Sequence, residues 1–516
     1  FYVGSFMIWA MWTGIGVFAI LEKMRNKVAV VGGGILASLA IAPLNMAIQQ
    51  WHTHSRAGNY MAFDYAYNIL QSLDKDAIVF TNGDNDTFPV WYLQDVAGVR
   101  RDVRVVNLSL GQTTWYVEQL KNREPFGAQR IPLSFSDESL SVPEDDRRAL
   151  GYEFGPAREI VVNVDRDILR KFTTDTAVIN RGTMSWLFKG RQRGNGEYFF
   201  GVQHRLVADI LKQTRFTRPV YFSTSVGDPS WADEYCGLDN YLRLEGMAFR
   251  VCPAPQRSAI GEGVDDDYMW KALMDSKYAT NDDYSLTPAV GLKFRNLANK
   301  DVYYDDVHRG YMMNYRNVFY KYATYVLNEK RDTARAGKIL NKMNELISVD
   351  MFPLGIMYEF QFASFYDVCG MKKERNAMAE LLLASADAMI KNPKLKERDR
   401  TYSDERMPAE RIAAEACKML ERWNEAKRYY GELLRLGKDP VLLFMIDELD
   451  IDRKLASGDT EGALSVAEAL QSKYPIQGGD RRSMEAAMAL QSRIQELRRK
   501  LGRSVEPMAT TMLPGN

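Results

Sequence analysis

Histidine and cysteine are scarce, with four of each in 516 residues. Cys236, Cys252, Cys369 and Cys417 are too few for a disulfide framework, and no Cys-x-x-Cys pair occurs. Cys236 and Cys252 could bridge in an oxidising compartment, although a buried free thiol is the commoner state of such residues. His52 and His54 alone make a poor zinc pair. An excess of charge is also lacking: 67 basic residues meet 67 acidic ones. No segment is strongly basic, which leaves a nucleic-acid partner without electrostatic support. The chain has no Gly-x-Ser-x-Gly, no Walker loop and no Gly-x-Gly-x-x-Gly. Gly32-Gly33-Gly34 lies inside an apolar run and reads as helix packing, and Gly194-Asn195-Gly196 reads as a turn. What the chain does have is 46% hydrophobic residues, 11% of the total being aromatic, enough for packed cores rather than disorder. Its length implies two or three soluble domains.

Two uncharged runs open the chain. Phe1 to Leu21 and Val28 to Ile48 are each close to the roughly 20 residues that cross a bilayer as helix. Small residues such as Gly14, Gly33 and Ala37 suit close helix packing in lipid, and Trp51 stands where an interfacial aromatic belongs. The first run is too long for the apolar core of a signal peptide and lacks the preceding positive charge. The connecting loop carries Lys23, Arg25 and Lys27, so the positive-inside rule puts it in the cytoplasm and everything after Trp51 on the other side. In a bacterium this makes an inner-membrane protein with its soluble part in the periplasm. A start at Phe1, inside an apolar run, is expected of a piece of a longer protein.

The soluble part reads as two domains. Residues 51–260 look like a Rossmann-like α/β domain. Ala77 to Thr81 and Val103 to Leu108 are short β-prone runs, and Phe88 to Val96 between them has helical spacing. That strand–helix–strand unit implies parallel pairing. Ile160 to Val164, Val220 to Ser223 and Leu242 to Val251 read as further strands, and Phe199 to Lys212 as helix. Ser134 to Asp146 is acidic and reads as a surface insertion. Residues 261–300 are expected as a linker. Residues 301–502 read as helical throughout, with tetratricopeptide-like spacing at Ala426, Tyr430 and Pro440 and at Gly458, Ala463 and Pro475. Arg335 to Leu346 and Met378 to Ile390 resemble second helices of earlier repeats. The tail 503–516 is expected to be disordered. The fold class is therefore two transmembrane helices, an α/β domain and an all-α repeat domain.

The densest polar cluster is Thr81-Asn82-Gly83-Asp84-Asn85-Asp86-Thr87, directly after the first strand. Ligands of open parallel sheets bind outside the carboxyl ends of strands. Asn107 and Ser109 end the second strand and should lie beside it. Asp84, Asn85, Asp86, Asn107 and Ser109 are therefore the candidate ligand-binding residues. Two carboxylates with amides suit a divalent cation such as Ca2+, sugar hydroxyls, or general-base work. The glutamate that should close a calcium loop is missing, which rejects an EF-hand. The plain alternative is an Asx turn with Asp86 or Thr87 capping the helix.

The run NGDNDTFPVWYLQDVAGVRRDVRVVNLSL from Asn82, with RPVYFSTSV from Arg218 and YLRLEGMAFRVCP from Tyr241, resembles the domain-of-unknown-function 2723 family of polytopic membrane proteins. YRNVFYKYATYVLNEKRDTARAGKIL from Tyr315 is similar to the carboxyl-terminal repeats of that family. The family resembles protein O-mannosyltransferases of the GT-C superfamily. The resemblance implies a membrane glycosyltransferase with a lipid-linked sugar donor and a polypeptide acceptor, this chain positioning the acceptor. Such enzymes carry their catalytic carboxylate in an early external loop of a multi-helix membrane domain, which the two spans here do not include. Gly111 to Tyr116 (GQTTWY) departs from the family pattern. No catalytic residue is therefore carried over. The alternative from a different class is a non-catalytic periplasmic scaffold that holds a protein partner on its helical repeats. A lipid bilayer is a partner in either case.

Overall fold

The computed structural model describes residues 3–140, 153–194, 196–226, 236–275, 279–399, 401–403, 407–437, 440–474 and 481–504. The chain divides into two compact units, Phe1–Tyr322 with Lys342–Phe352, and Ala323–Asn341 with Pro353–Asn516.

The first unit begins with apolar helices. α1 (Val3–Lys23) contains a stretch, Gly4–Lys23, long and apolar enough to cross a membrane. Its large side chains are bare: Phe6, Trp9 and Trp12 are 72%, 73% and 74% exposed. Apolar surface left in water costs roughly 25 cal/mol per Å², a cost that a lipid surround removes. The second apolar run is not one α-helix. It forms α2 (Val28–Leu39), a π-helical segment (Ala40–Leu44) and α3 (Asn45–His54). Pro43 sits inside the π segment, where its missing N–H breaks the regular ladder. This corrects the expectation of two uninterrupted spans, since α2 alone has 12 residues. Gly34 permits close approach to α1, because a Cβ there would lie 2.6 Å from Leu21 Cδ2.

The α/β core follows. α4 (Met61–Gln71) leads to β1 (Ile78–Thr81), α5 (Asp84–Asp95), β2 (Arg104–Asn107) and α6 (Thr114–Asn122). β1 and β2 pair in parallel from Ile78↔Arg104 to Thr81↔Asn107. Their β-branched and aromatic residues, Val79, Phe80 and Val106 among them, are fully buried. This is why both runs read as buried strands rather than alternating ones. Short helices α7 (Asp137–Leu140), α8 (Arg166–Leu169) and α9 (Thr176–Arg181) lie in the stretch that follows. It also holds small antiparallel pairings: β3 (Glu153–Gly155) with β7 (Tyr198–Phe200), β4 (Arg158–Asn163) with β5 (Thr183–Phe188), and β6 (Arg191–Gln192) with β7. The strand expected at Ile160 to Val164 therefore exists, in its own two-stranded sheet.

α10 (Val202–Thr214) returns the chain to the main sheet through β8 (Val220–Ser223), which pairs in parallel with β1. The strand expected over Leu242 to Val251 is a hairpin of β9 (Leu242–Glu245) and β10 (Ala248–Val251). Gly246 makes the turn at φ +60, and a Cβ there would sit 2.3 Å from Ser72 Oγ, so a side chain is excluded. β11 (Gly263–Val264) completes the order β11-β9-β10-β8-β1-β2. Among the described residues, β8, β1 and β2 form a continuous parallel set, and β10 joins β8 antiparallel. The sheet is mixed, not the fully parallel sheet of a doubly wound fold.

Residues 261–300 are not a linker. β11 joins the sheet, and α11 (Asp266–Leu273) buries Met269, Ala272 and Leu273. Arg295 forms a buried ion pair with Asp64 of α4, Nη2 to Oδ1 at 2.6 Å, and its backbone N–H donates to Asp64 Oδ2 at 2.8 Å. Asn68 brackets Lys293 with its side-chain amide, donating to the Lys293 carbonyl and accepting from its N–H, both at 2.7 Å. The acidic residues that suggest a linker are engaged too: Asp282 accepts from Arg295 Nη1 at 2.9 Å, and Glu262 pairs with Lys321.

α12 (Asp306–Glu329) and α13 (Thr333–Leu346) carry the chain through the division between the units. The second unit continues with α14 (Ile356–Val368), α15 (Lys372–Lys391), α16 (Lys394–Arg398), α17 (Ala409–Met419), α18 (Trp423–Leu436), α19 (Pro440–Ala456), α20 (Thr460–Lys473) and α21 (Arg481–Lys500). From α17 onward each helix packs on the next. Small residues line the seams: Ala413, Ala416 and Ala426 in one core, Ala463 and Ala467 in another. The helices expected at Arg335 to Leu346 and Met378 to Ile390 fall within α13 and α15. Pro475, the tail from 505 and residues 141–146 of the acidic insertion lie outside the described residues. Cys236 and Cys252 are buried free thiols.

Candidate ligand site at the strand ends

The three parallel strands end on polar, buried residues: Thr81, Asn107 and Ser223. Beyond Thr81 the chain turns through Gly83, at φ 92 and ψ −178, and enters α5 at once. That backbone state is open to glycine alone without strain. α5 therefore starts four residues earlier than its apolar spacing indicates, with Asp84 and Asp86 both in its first turn. Their charges suit the positive end of the helix dipole.

The two aspartates then part company. Asp86 is buried. Its Oδ2 accepts from the Ser225 hydroxyl at 2.6 Å and from the Asn82 N–H at 3.1 Å, and its Oδ1 from the Thr87 hydroxyl at 3.3 Å. Burial raises its pKa above the ordinary carboxylate value, and these three donors oppose the rise. Asn107 ties the same loop, donating to the Gly83 carbonyl at 3.0 Å and to Thr87 Oγ1 at 2.8 Å. Its Oδ1 accepts from the Leu110 N–H at 2.8 Å. The Ser109 hydroxyl donates to Asn82 Oδ1 at 2.9 Å. The structure thus gathers all five candidate residues around one loop. Asp86 and Asn107 hold that loop, and Ser109 fastens its outer side.

Asp84 and Asn85 are exposed and line a cavity of about 280 Å³ with Tyr65, Phe88, His308 and Tyr311. Pro89 cannot donate to the Asn85 carbonyl, so the α5 ladder skips one bond at this wall. Tyr65 and Tyr311 pack ring to ring at 4.5 Å. Burial and the charge of Asp86 push the Tyr311 hydroxyl up to about 12, and Tyr65 higher still. Both are proton donors at neutral pH. His308 Nδ1 lies 2.7 Å from Asp305 Oδ1. A carboxylate, an amide and phenolic hydroxyls around a small cavity can hydrogen-bond a polyol or a hydroxyl-bearing side chain.

The arrangement does not fit a divalent cation. Both oxygens of Asp86 face N–H and O–H donors, which a cation would have to displace, and this leaves Asp84 as a lone carboxylate. No group of three or more His, Cys, Asp or Glu residues able to hold a metal occurs among the described residues. Ser223 and Ser225 were missed in the sequence, although RPVYFSTSV carries the signal used at β1, a polar group directly after a β-prone run. Tyr65, His308 and Tyr311 carried no such signal, since helix faces bring them in from far along the chain.

Residues 62–150 and 140–268 match the family model for TMEM260-associated domain 2. No curated protein matches the chain. The TMEM260-associated match runs from α4 through β11 into the first turn of α11, and so takes in the loop Asn82–Thr87, Asn107, Ser109 and Ser225. Tyr311 and His308 fall beyond it. This match and the exposed apolar helix α1 together point to membrane association.

Proposed function

We propose that this chain is the extracytoplasmic portion of a membrane glycosyltransferase-like protein of the O-mannosyltransferase type, and that its α/β unit positions the polypeptide acceptor. The observation that carries the reading is the TMEM260-associated domain 2 match over the α/β unit. The strand-end cavity is the place for the acceptor. The exposed Asp84 carboxylate accepts a hydrogen bond from an acceptor hydroxyl, and Asn85 offers both a donor and an acceptor. Asp86, Asn107 and Ser109 fix the loop that presents them. The sugar donor is lipid-linked, and the transfer step belongs to a membrane-embedded part of the protein. α1 and the α2–α3 segment both span the inner membrane, with Lys23, Arg25 and Lys27 in the cytoplasm and the rest of the chain in the periplasm.

The test is mannose transfer from polyprenyl phosphomannose to a serine- and threonine-rich secreted domain, in membranes that contain the protein. Asp84→Ala should lower transfer about tenfold through the acceptor KM, as loss of a charge-assisted hydrogen bond does. Unchanged transfer removes Asp84 from the site, and no transfer by the unaltered protein removes the glycosyltransferase reading. The seams between α17 and α21 favour a second reading, in which the helical unit is a tetratricopeptide-like scaffold for a protein partner. That reading predicts partner capture that survives Asp84→Ala.

A further inference from the structure

β2 is an edge strand of the main sheet. Strand addition there is blocked, because the Asn107 N–H donates to the Tyr116 hydroxyl at 2.9 Å and that hydroxyl donates to the Val105 carbonyl at 3.3 Å. Beside this sealed edge, between α5 and α6, lies a groove of about 820 Å³. At its base is Arg104, buried, with Nε enclosed and without a hydrogen-bond partner. An arginine has five N–H donors. Arg104 uses one, Nη2 to the Leu120 carbonyl at 3.3 Å. Glu124, the acid whose charge reaches it, is held by Arg130 at 2.9 Å.

The neighbouring Arg100 shows how this fold satisfies an arginine that serves structure. It is also fully buried, and it makes five hydrogen bonds, to Asp102 Oδ1 and Oδ2 and to the carbonyls of Leu70, Leu73 and Asp74. Arg104 has no such set. Arg218, at the foot of β8, adds positive charge near it and has an enclosed, unpartnered Nη2 of its own. Arg104 Nε is closed off, but Arg104 lines the groove, where the terminal N–H groups not used by Leu120 can meet an anion from outside.

We propose that the groove beside β2 is a binding site for a sugar acid, with the carboxylate on Arg104 and the ring against the aromatic walls. The walls argue for the ring. Arg101 covers one face of Phe126 at 4.3 Å, while Trp115 and Phe88 are exposed, at 43% and 52%, and Phe88 stacks on Trp91 at 5.6 Å. Such faces pack against the C–H face of a pyranose. The rim argues for hydroxyls and a single negative charge. Asp95 and Glu124 stand there with Gln119. Arg101 and Arg123 line the groove as well, so with Arg104 the three arginines exceed the two acids by one positive charge, which suits a ligand with a single negative charge, while the acids and Gln119 accept from hydroxyl groups. The groove shares the Phe88 wall with the acceptor cavity at Asp84, but Arg104 and Trp115 line only the groove.

The experiment is calorimetric titration of the full chain in neutral detergent with glucuronic acid, glucose and a short acidic peptide. Glucuronic acid should bind in the millimolar range or tighter, and glucose at least about tenfold more weakly. Arg104→Met should erase that difference. Trp115→Ala, at an exposed position that leaves the fold intact, should weaken both sugars. Should Arg104→Met fail to fold, Arg104→Lys keeps the charge without the planar fork and should still weaken glucuronic acid severalfold. Equal binding of glucuronic acid and glucose, undiminished binding by the Arg104 variant that folds, or tighter binding of the peptide would each overturn the proposal.

Discussion

At the scale of residues, two carboxylates that the sequence pattern treats alike are different objects. Asp84 and Asp86 are two positions apart, so on α5 they point about 200° from each other, one into solvent and one into the sheet. Asp86→Ala should cost about 1–3 kcal/mol, because the Ser225 hydroxyl and the Asn82 N–H lose a buried acceptor. Asp84→Asn should stay within about 0.5 kcal/mol. Urea denaturation of the two variants checks this, and equal losses would mean that the loop is not held as described. A second residue-scale test lies in the helical unit. Burial raises Glu359 to about 7, the charge of Asp399 adding to the rise and a Ser385 hydrogen bond opposing it. Between its unfolded value near 4.5 and about 7 the folded state holds a proton that the unfolded state lacks. Stability from this group is therefore greatest below the unfolded value and declines as pH rises toward 7. Glu359→Gln removes that decline, and its gain over the unaltered protein should grow from pH 5 to pH 8 by up to roughly 3 kcal/mol. Denaturation midpoints at the two pH values measure it, and a gain that shrinks with pH would contradict the assignment.

At the scale of elements, the decisive joint is α4 against the stretch 279–296. Asp64 and Arg295 are both buried and doubly bonded. Removal of one partner leaves a buried charge, which typically costs about 3–5 kcal/mol. Asp64→Ala should therefore destabilise the first unit by that order and make residues 279–296 the first site of proteolysis. In the unaltered protein the same segment should resist protease as its packed neighbours do. Rapid cleavage there without the substitution would restore the linker that the clusters Glu262 to Asp267 and Asn281 to Asp283 suggest. The same scale explains the hairpin at Gly246. Leu242 to Val251 has the apolar content of one long strand, and a single glycine at positive φ folds it back on itself.

At the scale of the whole molecule, the orientation of the chain rests on Lys23, Arg25 and Lys27 between two apolar segments. Fusions at Gly310 should be active with alkaline phosphatase and silent with β-galactosidase. The reverse pattern would reject both the orientation and the proposed function.

The sequence by itself determined the short-range features. β1, β2 and β8 were legible because each is a run of β-branched and aromatic residues between turn signals, and burial on both faces requires that composition. α1 was legible because no charge interrupts it before Glu22. The cluster at Asn82 to Thr87 was legible as a polar loop because it follows one buried strand directly and opens the next helix. Only the tertiary structure decided which of those groups is free. Hydrogen bonds from Ser225, 139 residues away, take up Asp86 and leave Asp84 exposed. It alone decided that Arg100 is satisfied and Arg104 is not, although both arise from one short basic run. Partners of a buried polar group are set by which segments the fold brings within hydrogen-bond distance, and local pattern carries no record of those distances.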